Sequence, residues 1–238
     1  MKAQIAARRT RPVARHGAFA LAFTLLLALP AARAAEQPAG EPIQTANAPT
    51  ANDLREFRVG MPVSALPASG YKDLACAAEP QHALASWSEY HTCPADAAGR
   101  HAVRFAFDDQ TNPMARLNDR FQGTRVAGQP VRVFLLLGDD DRLDALRIET
   151  DPEARLYLRK KAFLFADQVR ARFGNEGWTC AEGKPQGDEE PVGGVFYREH
   201  CEKRTPTRHF VLDRELYRHA GQKPDSFVEG TSLLIEPR

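Results

Sequence analysis

Ser69 and Lys72 have the Ser-x-x-Lys spacing that sets a lysine one helical turn from a nucleophilic serine. That acyl-transfer chemistry also needs a Lys-Thr-Gly strand and a Ser-Asp-Asn loop. The chain contains neither, and Gly70 disfavours the required helix. Asp139, Asp140, Asp141 and Asp144 offer carboxylate oxygens to a hard cation. Their spacing is not that of a calcium loop, and a solvated hairpin turn explains them more simply. Glu149, Asp151, Asp108 and Asp109 are the carboxylates from which an acid/base pair of a small hydrolase would have to be drawn. His91 and His200 stand beside Cys93 and Cys201, where they would form a ligand pair or a pH-sensitive contact if the two segments met, and would otherwise be ordinary strand histidines. Trp87, Tyr90, Trp178 and Tyr197 flank the cysteines. They are core packing if buried and partner-binding anchors if exposed. Gly-x-Ser-x-Gly, His-Glu-x-x-His and Gly-rich phosphate loops are all missing. No catalytic residue, cofactor or metal is therefore expected.

The compartment is easier to read than the chemistry. Residues 1–34 have the make-up of a secretory signal peptide: a basic start, an apolar run from Ala18 to Leu29, Pro30, and a small-x-small site at Ala32-Arg33-Ala34. The apolar run is shorter than the roughly 20 residues of a spanning helix, so no transmembrane segment is expected after cleavage. Removing this segment takes six of the 32 basic residues and none of the 31 acids, leaving 26 against 31, a net charge of −5. That balance argues against nucleic-acid binding. The four cysteines, Cys76, Cys93, Cys180 and Cys201, read as two disulfides in a secreted or periplasmic protein. Pairing sequence neighbours closes two short loops, each stabilising by about 3 kcal/mol in the chain-entropy model. With the cysteines paired, no thiol is left as a nucleophile.

These residues need a scaffold. Residues 35–53, rich in Ala, Pro, Gln and Thr, are expected to be a flexible leader. A first unit is expected over 54–150. It has a short helix from Val63 to Leu66, a strand at Trp87–Cys93, an alternating strand through Val103, Phe105 and Phe107, and a helix opened by Asn112-Pro113. The strand Val131–Leu137, apolar on both faces, should be central. A second unit is expected over 151–238. Asp151-Pro152-Glu153 starts a long helix with the stripe Leu158, Ala162, Phe165, Ala166, Val169 and Phe173, and Gly174 ends it. Strands follow near Trp178–Cys180, Val195–Cys201, His209–Leu212 and Ser232–Ile235. The expected fold class is α+β, an antiparallel sheet packed by helices, either as one continuous domain or as two tandem helix-plus-strands units.

The two units share an order. Gly70-Tyr71 with Cys76 answers Gly177-Trp178 with Cys180, and Tyr90 with Cys93 answers Tyr197 with Cys201. An internal duplication gives this order, and so does the chance likeness of two disulfide hairpins. The layout resembles the secreted β-lactamase-inhibitor proteins. Arg58-Val59-Gly60-Met61-Pro62-Val63-Ser64 is similar to the first-helix start of the small lipoproteins of the outer-membrane assembly machinery. The lipid-attachment cysteine of the latter and a matching inhibitory loop of the former are both missing. The resemblance implies a non-enzymatic module that binds a protein or envelope component, and it assigns no site residue. The alternative is the small hydrolase named above.

Overall fold

The structure is a computed structural model that describes residues 52–108 and 124–238. The signal and leader readings up to residue 51, Asp109, and the helix expected after Asn112 lie outside the described residues. Ten strands dominate: β1 (Tyr71–Cys76), β2 (Arg100–Phe107), β3 (Arg125–Val126), β4 (Gln129–Gly138), β5 (Arg142–Thr150), β6 (Trp178–Glu182), β7 (Glu189–Glu190), β8 (Tyr197–Arg204), β9 (Arg208–His219) and β10 (Val228–Pro237). They form one antiparallel sheet in the order β1-β2-β4-β5-β10-β9-β8-β6, with β3 on β4 and β7 on β9. The α+β expectation is therefore corrected: the fold is β-rich, with few helices. Period-2 alternation of apolar residues recurs from β2 to β10 and outweighs the single helical stripe.

The sheet consists of two four-strand meanders, β1-β2-β4-β5 and β6-β8-β9-β10, joined through the last strand of each. Each disulfide anchors a first strand. Cys76 of β1 bonds to Cys93, and Cys180 of β6 bonds to its register partner Cys201 of β8, the sequence-neighbour pairing that was expected. The described residues contain no free cysteine.

The helix expected from Asp151 is shorter and broken. Asp151 accepts from the Glu153 N–H at 3.0 Å in a side-chain turn, so it does not cap a helix. Helical turns occur only at α1 (Leu156–Arg159) and α2 (Leu164–Phe173). The stripe holds where it packs: Ala162, Phe165, Ala166 and Val169 are buried, with α2 against β9 and β10. Trp87–Thr92, expected as a strand, is a 3-10 turn. Its spacing of three puts buried Trp87 and Tyr90 on the same side.

Two rows of side chains define the faces. Val103, Leu135, Leu146, Ile235 and Phe210 are cross-strand neighbours on the first face, the core that α2 and the Trp87 turn cover. On the second face the matching row is Arg104, Phe134, Arg147, Leu234, Val211, Glu202 and Thr179. The buried helical residues all belong to the first face. β4 is apolar on both sides, as expected of a central strand.

The N-terminal edge of the fold lies earlier than the leader reading put it. Asp53 is buried and grips Arg208 of β9 at 3.0–3.2 Å, while accepting from the Val59 N–H at 2.7 Å. This fixes the segment that carries Phe57, which packs on Phe105 with ring centroids 5.1 Å apart.

Candidate functional site

The second face has a small apolar floor of Phe134, Leu136 and Ala145, with Ala77, Ala102 and Leu234 packed against it. Over the floor lies a depression of about 430 Å³ lined by four arginines, Arg100, Arg104, Arg132 and Arg147, against two carboxylates, Asp96 and Glu149. β2, β4 and β5 each place arginine on this face by simple alternation. The Arg147 guanidinium lies 4.6 Å from the centroid of the Phe134 ring. The floor is thus screened by arginine stems, and guanidinium groups form much of the outer surface.

The arginines differ in how they are held. Arg100 pairs with Asp96 at 3.0 Å and Glu236 at 3.7 Å. Asp96 is itself fixed by the Arg100 and Ala98 N–H groups, and these backbone bonds lead in holding its carboxyl below the usual range. Arg132 pairs with Asp151 and Glu153, and Arg147 with Glu149. Arg104 reaches only the Pro80 carbonyl, at 3.4 Å, and has no carboxylate partner among the described residues.

The other half of the face has mixed charge. A depression of about 450 Å³ is lined in part by Thr179, Ala181, His200, Glu202 and Arg204. His200 contacts Asp213 at 2.6 Å and Glu202 at 3.6 Å. The hydrogen bond to Asp213 is the main cause that raises its pKa above 6.5. Because the folded value is raised, the pair stabilises fully below the unfolded pKa, and the contribution is lost as pH rises through the folded one. NMR titration should show the His200 ring titrating above 6.5, and Asp213→Asn should bring it back towards 6.5. A ring that titrates identically in both proteins would contradict the pairing.

The residues singled out from sequence are placed unevenly. His200 is on the second face with Asp213, whereas His91 lies at the β4–β5 turn, so the two do not form a pair. Trp87 and Tyr90 are buried, Trp178 packs against the core, and Tyr197 lies between Phe163 and Arg214. Trp87 and Tyr90 are therefore core side chains with no surface to offer a partner. Trp178 and Tyr197 are half-buried and keep part of each ring at the surface.

The four aspartates divide. Asp140 and Asp144 flank Gly138, where an added Cβ would run into the Asp144 carboxylate. Burial, then Asp140, pushes the Asp144 carboxyl up. Asp139 and Asp141 turn instead to His101, His91 and Tyr90. Ser69 and Lys72 are not on a helix: Lys72 is in β1 and Ser69 in the bend before it. Of the hydrolase carboxylates, Glu149 and Asp151 are each tied to an arginine, and Asp108 follows the end of β2.

Sequence reasoning missed the arginine cluster, although Arg100, Arg104 and Arg147 occupy polar phases of β2 and β5; Arg132 shares its phase of β4 with Phe134 and Leu136 and gave no such signal. No family model, no curated protein and no solved structure matches this chain.

Proposed function

We propose that the chain is a non-catalytic binding module, exported to the periplasm or beyond the cell, that engages a partner protein through the second face of its sheet. The observation that carries this reading is the arginine-ringed apolar floor on the face that no described helix covers. Arginine is enriched at interface centres because its flat group stacks on rings and forks onto carboxylates. The partner is accordingly a protein segment in which acidic residues flank an apolar side chain. Arg104 is the primary contact, because it can bind a carboxylate without surrendering an ion pair to any of the described residues. The two disulfides fit an oxidising compartment. Among the described residues no helix is long and apolar enough to cross a membrane.

Selection from an unbiased displayed-peptide library tests this. Acid-rich sequences with an apolar centre should be enriched, and Arg104→Glu should weaken them at least tenfold. Their affinity should also fall as salt is raised. Enrichment of basic or purely apolar peptides, or binding that Arg104→Glu leaves intact, would remove the reading.

A further inference from the structure

The β4–β5 turn brings together groups that the sequence keeps far apart. His91 comes from the Trp87–Thr92 turn, His101 from β2, and Asp139 from the hairpin after β4. One ligand atom from each lies within 4.8 Å of the other two. We propose that His91, His101 and Asp139 form a binding site for a divalent transition ion of the zinc class.

The arrangement around His101 carries the inference. Its side chain is nine-tenths buried, and Nδ1 is 2.7 Å from the Cys93 carbonyl oxygen. A carbonyl only accepts, so Nδ1 holds a proton and donates it. This leaves Nε2 facing the Asp139 carboxylate at 3.1 Å. A cation seated between Nε2 and the carboxylate would therefore be held by both. An imidazole whose other nitrogen is fixed by a backbone carbonyl is the usual arrangement of metal-binding histidines. Ligand atoms around tetrahedral zinc at about 2.0–2.2 Å stand about 3.3 Å apart. His101 and Asp139 already meet that spacing. His91 and Asp139 are exposed enough to close the remainder by side-chain rotation, with side-chain exposures of 49% and 75%.

The surroundings hold the ligands in place. The Cys76–Cys93 disulfide pins the end of the turn that bears His91. The single Tyr90 hydroxyl proton is shared between the Gly138 carbonyl at 2.8 Å and the Asp141 carboxylate at 2.9 Å, fixing the hairpin that carries Asp139. Asp141, whose Oδ1 is held by Tyr90, lies beside the site at 3.5 Å from the His91 Nε2. Two imidazoles favour zinc, nickel or copper over calcium. The Cys180–Glu199–Cys201 group does not compete, because its sulfurs are bonded to each other.

The test is calorimetric titration of the untagged, disulfide-intact full chain with ZnCl2, with CoCl2 as a visible-absorption probe. One equivalent should bind, and His91→Ala and Asp139→Asn should each weaken it at least tenfold. Both changes fall on exposed side chains, so folding is not at stake. His200→Ala, in the other histidine cluster, should retain full affinity. Zinc should raise the Tm of the wild type and not that of the His91→Ala/Asp139→Asn protein. Wild-type binding no tighter than that of the double variant, equal loss in His200→Ala, or calcium binding as well as zinc would overturn the site.

Discussion

Glu199→Ala should lower the unfolding free energy by about 3–5 kcal/mol, the range for removing one partner of a buried ion pair. Glu199 lies on the helix-covered face of β8 and accepts from Arg170 of α2 at 2.7 Å and contacts Arg214 of β9 at 2.6 Å. Glu199 and Arg214 are both buried. Without the carboxylate, two guanidinium groups face each other with Asp167 as their one remaining acidic neighbour among the described residues, at 3.5 and 3.9 Å, and Asp167 is more than half exposed. Arg170 also donates to the Cys201 sulfur at 3.0 Å, so the cluster fastens α2 to the second disulfide. Urea unfolding should show a lower midpoint with an unchanged slope. Asp167→Ala should cost less than about 1 kcal/mol, as exposed pairs do. A Glu199→Ala loss no larger than the Asp167→Ala loss would show that the cluster does not fasten the helix.

Asp53→Ala should cost about 3 kcal/mol or more, for the same physical reason. Asp53 holds Arg208 through both carboxylate oxygens and also caps the Val59 N–H. Arg208 in turn donates to the Val59 carbonyl at 3.0 Å. The clasp docks a segment whose Phe57 is fully buried against Phe105, Phe107 and Trp87. Its loss should therefore appear first as faster amide exchange in residues 54–60. An Asp53→Ala/Arg208→Ala double-mutant cycle should give a coupling of at least about 1 kcal/mol. Additive losses and unchanged exchange would mean that the two side chains merely lie near each other.

These two clusters show where the sequence was legible. Alternation in Val103, Phe105, Phe107 and in Val131–Leu137 marked β2 and β4, because strand burial has a period of two. The cysteine spacing also suggested the correct disulfides, since each closes a local loop. The helix was over-read, because Asp151-Pro152-Glu153 has the composition of a cap but uses it in a turn. Asp53 was assigned to a polar leader because its partner lies 155 residues away. Glu199, Arg170 and Arg214 look like ordinary surface charges until the fold stacks three elements over them. The same holds for His101. It falls in phase with Val103 and Phe105, so its burial was readable, whereas its meeting with Asp139 depends on the register of β2 with β4. His91 and the aspartate turn each attracted notice for separate reasons, and only the hairpin geometry joins them.

The central claim is that the second face of the sheet is the working surface, and photo-cross-linking in the producing cells tests it most directly. A photoreactive side chain placed at Ala102 or Val211, both on that face, should form adducts with one discrete protein, through an acid-rich segment of it. Arg104→Glu should abolish those adducts, and the same probe at Tyr157, an exposed position on α1, should give none. Adducts arising only from Tyr157, or second-face adducts that survive Arg104→Glu, would contradict the claim.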